Sequence, residues 1–211
     1  MTARDRAIEN IQEVLQRGAV DILVPSINAV ALYQGSEAVF RRIAQATTAA
    51  AILDYFAEIR FGLIFKELRF EMEFEPQGRR GADVAVSRDG QSAYVEIKRF
   101  RPALEDDSPN AGIGHELVPY GNLKKSVNRI EDELAGKFMQ VQDGSGIVAF
   151  WSDHATIEDV DFELAIRNMR AGGVSTLLCK RPGFVFGDGC AREGGNFPFP
   201  RSAIVEKVCA S

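Results

Sequence analysis

The stretch GADVAVSRDGQSAYVEIKRF, residues 81–100, carries the strongest structural signals in the sequence. Two runs rich in apolar residues flank the tetrapeptide RDGQ, and Asp-Gly at this place is a strong signal for a tight turn between antiparallel strands. The second run carries Glu96 and Lys98 two residues apart, so both side chains point to one face of the strand. The stretch therefore predicts a β-hairpin with an acid and a base side by side.

The Asp-Gly turn also predicts how the two strands pair. If these two residues form the loop, Val84 faces Val95 and Asp83 faces Glu96. Directly opposite residues have Cβ atoms about 4.5–5.5 Å apart, so the two carboxylates repel each other. A shared divalent cation would explain such a pair, because hard cations take carboxylate oxygens from several side chains. The alternative is a solvated strand face on which nearby arginines pair with Asp83.

The composition bounds the class of protein. The chain has 211 residues, of which 45% are hydrophobic and 26% charged, as is ordinary for a globular protein with one domain or one domain and an extension. No apolar run approaches the roughly 20 residues that span a membrane, and the first residues carry no signal-peptide pattern. A cytoplasmic protein without a membrane partner is expected. Three cysteines without a CxxC spacing disfavour a disulfide framework or a zinc site.

The charge is unevenly spread. A net charge of −5 disfavours a protein that coats nucleic acid through bulk electrostatics. Residues 79–129, however, hold nine Lys/Arg against seven Asp/Glu, while the rest of the chain is acidic. The modestly basic segment contains the hairpin with Glu96 and Lys98.

Hydrophobic periodicity predicts elements on both sides of the hairpin. Helices are predicted over residues 3–17, 36–46, 47–68, 121–141 and 162–170, and strands over 70–76, 81–87, 92–100, 146–152 and 174–180. Pro25 interrupts the pattern of residues 20–33, which predicts a linker with a short strand or turn. Residues 101–120 are predicted as a loop, and residues 181–211 as an irregular or hairpin tail. The order predicts an α/β sandwich around a mixed sheet of about five strands, with a meander first and later strands reached through helices.

Glu58 is the second candidate acid. It lies in AILDYFAEIRFGLIF, residues 51–65, within a helix that is apolar nearly all round. A carboxylate in such a helix is costly unless it is paired or bound to a metal. Asp54, one turn earlier, is a rival for the role. An ion pair with a nearby Lys or Arg, or a position at the solvent edge, is the alternative.

Together these features resemble the PD-(D/E)XK nuclease superfamily, which has the restriction-endonuclease-like fold. Glu58 matches the acid of the first helix in that family, and Asp83 matches the strand Asp. Glu96 and Lys98, in EIK, match the E-x-K. Gly-Ala precedes Asp83 where the family often has Pro, which is a tolerated variation. The resemblance implies a three-layer α/β/α sandwich with a mixed central sheet of about five strands.

The resemblance covers roughly residues 48–180. Many members carry a Lys or Gln on the helix after the E-x-K, and Gln140 and the less certain Lys137 are the matching positions. The expected organisation is a helical extension, residues 1–46, packed on a nuclease-like domain, residues 47–211, with an irregular C-terminal tail.

The resemblance implies Mg²⁺-dependent hydrolysis of a phosphodiester, usually in DNA, with Mn²⁺ as a substitute for Mg²⁺. Asp83 and Glu96 would bind the metal, with Glu58 contributing directly or through water. A water on the metal would attack phosphorus, Lys98 would orient it, and Gln140 would support the water or a phosphate oxygen. A homodimer, or a partner subunit that supplies targeting, is compatible with such a fold.

Two alternatives stay open. One is a catalytically silent module of the same fold that acts as a binding or scaffold protein, which the acidic overall charge favours. The other is an unrelated α/β protein whose E-x-K decorates its surface, and a Glu58 far from Asp83 would favour it. His115 and His154 have no partner at ligand spacing and are expected to be structural or surface residues.

Overall fold

The computed structural model describes residues 1–76, 78, 81–100, 123–138, 146–152, 159–169, 175–180 and 190–194. These residues form six helices and six strands, so the protein is mixed α/β, as predicted. The chain divides into two compact units, Met1–Ile97 and Lys98–Ser211, and each is described by itself. Among the described residues, no helix has the length and apolar character needed to cross a membrane.

The first unit begins with four helices and continues into a meander of three strands. The elements are α1 (Ala3–Val14), α2 (Arg17–Val30), α3 (Ser36–Gln45), α4 (Ala49–Glu67), β1 (Glu71–Phe74), β2 (Val84–Arg88) and β3 (Gln91–Phe100), whose end crosses into the second unit. Helix α1 packs on α2 and α3, and these two pack on α4. The side-chain amide of Asn10 donates to the carbonyls of Ile43 and Ala46, at 2.7 and 2.9 Å, and so ties α1 to the end of α3.

Helix α2 shows that the prediction for residues 20–33 was wrong. The segment is helical, Pro25 lies inside the helix, and α1 ends at Val14 rather than at residue 17. An interior proline costs a helix about 3 kcal/mol. Burial of one apolar stripe offsets that cost, since each large aliphatic side chain gains about 1.5–3 kcal/mol on burial. The buried residues of the stripe are Leu23, Ser26, Ile27 and Val30.

The meander confirms the predicted register. Strands β1 and β2 are antiparallel, as are β2 and β3, and Val84 pairs with Val95 while Arg88 pairs with Gln91. Asp89 and Gly90 form the loop, with φ of 54° and 78°. Positive φ at both loop residues gives a turn whose twist matches that of the strands.

Helix α4 covers one face of the meander. Helix α4 contacts strands β1 and β2. The buried apolar residues of the meander are Met72, Phe74, Val84, Val86, Ala93, Val95 and Ile97. Gly62 of α4 lies so close to β1 that a Cβ there would sit 2.8 Å from the ring of Phe74 and 2.9 Å from the methyl of Met72. The close approach of α4 to β1 therefore depends on glycine at position 62, which has no side chain.

The second unit contains a strand–helix–strand unit followed by an antiparallel strand. Its elements are α5 (Leu123–Phe138), β4 (Gly146–Ser152), α6 (Asp159–Met169), β5 (Ser175–Lys180) and β6 (Cys190–Gly194). Strands β4 and β5 are parallel and β5 and β6 antiparallel, so the pairing is mixed. The apolar run of β4 is buried throughout, as predicted, and the Phe150 ring meets Phe162 of α6 edge-on. Strand β6 lies in the segment predicted as irregular or hairpin.

Candidate functional site

Asp83 lies directly before β2 and is held by the backbone of both neighbouring strands. Its Oδ2 accepts a hydrogen bond of 2.8 Å from the N–H of Ile97 in β3. Its carbonyl accepts a hydrogen bond of 2.8 Å from the N–H of Glu75, just beyond β1. The half-buried carboxylate thus lies at the backbone of β3, next to Glu96.

Glu58 is buried in α4, at 6% exposure, and is close enough to Asp83 to interact with it electrostatically. Burial raises the pKa of Glu58 well above its usual range, and the charge of Asp83 raises it further. Arg42 lowers the pKa of Glu58 in part, because its Nη2 lies 2.5 Å from the Glu58 Oε2. The fold therefore brings together the predicted helix acid and the predicted strand acid. Asp54, the rival, is half-buried one turn earlier in α4.

Arg42 of α3 is a member of the site that the sequence reasoning did not single out. Its Nε lies 3.0 Å from Oε1 of Glu75, and its guanidinium carbon lies 4.8 Å from the centre of the Tyr55 ring. Burial lowers the pKa of Arg42, but the carboxylates of Glu58, Glu75 and Asp83 outweigh it and leave that pKa raised. We call Arg42 and these three carboxylates the Arg42 cluster.

Glu75 is the second residue that was missed. The alternation of β1 predicts Glu75 on the same face as Glu71 and Glu73, which are exposed or half-buried. Glu75 instead has φ of 47°, in the left-handed region, and its side chain is 13% exposed and paired with Arg42. The positive φ ends the strand pattern and turns the carboxylate toward α3.

The E-x-K pair lies in β3. Glu96 is buried, at 3% exposure. The boundary between the two units falls between Ile97 and Lys98, so the two predicted residues belong to different units of the chain. Within the second unit, Nζ of Lys98 lies 3.2 Å from Oε2 of Glu133 in α5, and both side chains are partly exposed. Lys98 thus has an anionic partner that the sequence pattern did not indicate.

The remaining residues of the predicted site cannot be placed relative to Asp83 and Glu58. Gln140, His115 and His154 lie outside the described residues. Lys137 falls in α5, and its side chain lies outside the described set.

The donor atoms of the Arg42 cluster suit a hard cation. Glu58 and Glu75 pair with the Arg42 guanidinium, and Asp83 interacts with it electrostatically, so the cluster holds three acidic groups and one base. Across the part of the chain that the structure describes, no three or more His, Cys, Asp or Glu side chains are grouped as a metal cage. Mg²⁺ usually binds through one or two carboxylates and keeps several waters. The carboxylates of the cluster are thus ligands of the type that a hydrated Mg²⁺ takes, with the Arg42 guanidinium as a competing positive charge beside Glu58.

Comparison of the chain with protein-family models, with curated proteins and with solved structures gives no match. A function for the chain therefore has to be inferred from the Arg42 cluster and from β3.

Proposed function

We propose that the chain is a metal-dependent nuclease that hydrolyses phosphodiester bonds in DNA. One observation carries the proposal: the carboxylate of Asp83 accepts a hydrogen bond from the N–H of Ile97, the residue that follows Glu96 in β3, and interacts electrostatically with the buried Glu58. A helix acid, a strand acid and the acid of an E-x-K strand are the three carboxylates that the resemblance to the PD-(D/E)XK superfamily requires. A Glu58 distant from Asp83 would have favoured an unrelated protein.

The proposed architecture is a three-layer α/β/α sandwich around a restriction-endonuclease-like sheet. The antiparallel meander β1–β2–β3 supports it, because that fold begins its core with a helix and such a meander. The parallel strands β4 and β5, connected through α6, support it as well. In this proposal α4 is the helix that carries the first acid.

In the proposed site, Asp83 and Glu96 would hold Mg²⁺, or Mn²⁺ in its place, and Glu58 would contribute directly or through water. The bound ion would neutralise charge at the phosphate and acidify a water. By the same resemblance, Lys98 would orient the attacking water and offset the charge that develops on the phosphate oxygens. Gln140 supports the water or the same oxygens.

The ion pair of Lys98 with Glu133 is compatible with this role. Both side chains are about one-third exposed, and ion pairs of that kind are worth about 0–1 kcal/mol. Because the pair is this weak, a phosphodiester, which carries the same single negative charge as a carboxylate, would replace Glu133 as the partner of Lys98 at little cost.

A catalytically silent binding or scaffold module is the second candidate, and the pair of Arg42 and Glu58 favours it. A guanidinium already neutralises the buried carboxylate at 2.5 Å, so Glu58 is satisfied without a metal. In that case the Arg42 cluster is a structural ion-pair network that joins α3, α4 and the end of β1.

The two candidates differ in their response to metal. We would titrate Mg²⁺ and Mn²⁺ into the wild type and into Asp83→Asn by calorimetry, and incubate the same samples with supercoiled plasmid and with single-stranded RNA. A nuclease binds the metal, loses binding in the variant and nicks plasmid only with metal present. Absence of binding at millimolar metal would refute the nuclease. Binding without cleavage of either substrate would favour the silent module.

A further inference from the structure

Arg42 is the basic member of the Arg42 cluster, and the other three members are carboxylates. It contacts two carboxylates through two different nitrogens, Nη2 toward Glu58 and Nε toward Glu75. A positive charge therefore already lies beside Glu58, one of the carboxylates to which the proposed metal site assigns a cation. Any cation that binds Glu58 therefore competes with the Arg42 guanidinium for the same carboxylate.

The contacts of Arg42 are unequal. Within the described residues its Nε makes no aligned hydrogen bond, although the Glu75 Oε1 lies 3.0 Å away. The Tyr55 ring, at 4.8 Å, holds the guanidinium by a cation–π contact that does not depend on Glu58. The Nη2 end can therefore leave Glu58 while Glu75 and Tyr55 retain the rest of the side chain.

We infer that Arg42 is a built-in competitor of the divalent cation: its guanidinium neutralises Glu58 when no metal is bound and yields that carboxylate when metal enters. Arg42 then sets the metal affinity of the site without contacting substrate. This inference rests on the proposed nuclease function, because it presumes that a cation binds beside Glu58.

The test compares Arg42→Met with Arg41→Met. Both variants remove one positive charge from α3, but Arg41 is 65% exposed and pairs with the exposed Glu37 at 2.8 Å. Mg²⁺ binding by calorimetry should tighten by roughly tenfold or more in Arg42→Met, because a unit charge a few ångströms away at a partly buried site is worth at least that much. Binding by Arg41→Met should stay within about twofold of the wild type, since exposed charges are screened.

Thermal unfolding supplies a readout that does not depend on activity. Removal of Arg42 leaves buried carboxylates without their cation, so the variant should unfold at a lower temperature than the wild type in EDTA. Mg²⁺ should raise the unfolding temperature of Arg42→Met by more than that of the wild type, because a ligand that binds more tightly stabilises the folded state more. A merely structural role for Arg42 would lower the unfolding temperature and leave the size of the metal-induced shift unchanged.

Arg42→Lys covers the case in which Arg42→Met does not fold. Lysine keeps the charge but lacks the fork that lets two nitrogens reach two carboxylates, so its Mg²⁺ affinity should lie between those of the wild type and Arg42→Met. Variants at Arg42 that bind Mg²⁺ no more tightly than a metal-binding wild type would overturn the inference and leave the nuclease proposal standing. Absence of binding in the wild type and in every variant would overturn both.

Discussion

The carboxylate of Asp83 accepts a hydrogen bond of 2.8 Å from the backbone N–H of Ile97. Asp83 lies before β2 and Ile97 lies in β3, so this bond closes the end of the hairpin that is remote from the turn. Ile97 lies two residues beyond Val95, the last residue of β3 that pairs with β2, so a side-chain oxygen continues the contact between the strands past the end of their backbone pairing. Because Asp83 also interacts with Glu58, one carboxylate contributes both to the hairpin and to the candidate site.

The double role of Asp83 predicts that two substitutions there differ in stability but not in metal binding. Asp83→Ala removes the acceptor of the Ile97 N–H, and leaving a buried donor unsatisfied costs about 1–3 kcal/mol of unfolding free energy. Asp83→Asn keeps a carbonyl oxygen and should cost less. Both variants should lose Mg²⁺ binding, since neither carries a carboxylate. Urea unfolding measures the first effect and calorimetry the second. Equal destabilisation by both variants would contradict the assignment of the hydrogen bond.

The buried Glu58 predicts a dependence of stability on pH in metal-free buffer. Its pKa is raised on folding, so between the ordinary value of 4.5 and the raised value the folded chain binds more protons than the unfolded chain. The free energy of unfolding that Glu58 contributes therefore falls as the pH rises through this window, and is constant below it. Glu58→Gln cannot titrate, so the stability of the wild type relative to this variant should decline from about pH 4.5 upward. Urea unfolding in EDTA across that range measures the difference.

Asp5 is a control of opposite sign for that experiment. The hydrogen bond from the Thr2 backbone to its carboxylate lowers the pKa of Asp5, so its contribution is present above the ordinary value of 3.8 and is lost as the pH falls through the lowered value. Asp5→Asn should therefore leave the pH slope between about 4.5 and neutrality as it is in the wild type. A slope that is unchanged in Glu58→Gln would contradict the raised pKa of Glu58.

The hairpin could be predicted from the sequence because its determinants are local. Asp89 and Gly90 tolerate positive φ, and two such residues between apolar runs set both the turn and the register. From the turn alone, that register predicts Asp83 opposite Glu96, and the pairing is observed as far as Val84 and Val95. The spacing of Glu96 and Lys98 likewise follows from the strand period alone.

The members of the Arg42 cluster could not be predicted because they depend on tertiary packing. Arg42 and Glu58 lie 16 residues apart on different helices, and helical periodicity does not report which faces meet. Glu75 left the strand pattern through a positive φ that a glutamate adopts rarely. The prediction of a linker at Pro25 was wrong for a related reason. Burial of one face of α2 outweighs the low helix propensity of proline.

Gly35 is predicted to be a position where any side chain disrupts the first unit. It has φ of 76°, and a Cβ there would lie 1.8 Å from the carbonyl oxygen of Phe74. The same contact region includes the hydrogen bond of 2.9 Å from the Phe74 N–H to the carbonyl of Gln34. Gly35→Ala should cost roughly 2–5 kcal/mol of unfolding free energy, from left-handed strain and from overpacking together. Urea unfolding measures it.

Gly18 provides the matched control for Gly35. It lies in the first turn of α2, and a Cβ there would meet nothing within 4 Å. Gly18→Ala should be neutral or stabilise the protein by up to about 1 kcal/mol, because alanine favours a helix over glycine. Similar losses in the two variants would show that the close approach at Phe74 does not limit stability.

Lys98 is predicted to matter for cleavage and little for stability, if the chain is the proposed nuclease. Lys98→Met breaks the pair with Glu133, which is worth less than about 1 kcal/mol at this exposure. The same substitution removes a donor at the place where phosphate charge develops, so the rate of metal-dependent plasmid cleavage should fall by about 10²–10³-fold.

Glu133→Gln breaks the same ion pair from the other side and should retain cleavage near the wild-type rate, since Lys98 is kept. Single-turnover cleavage with saturating Mg²⁺ measures both rates, and urea unfolding shows whether both variants are folded. If Glu133→Gln lost cleavage as fully as Lys98→Met, the ion pair would be required for activity, and Lys98 would act through Glu133 rather than on the phosphate.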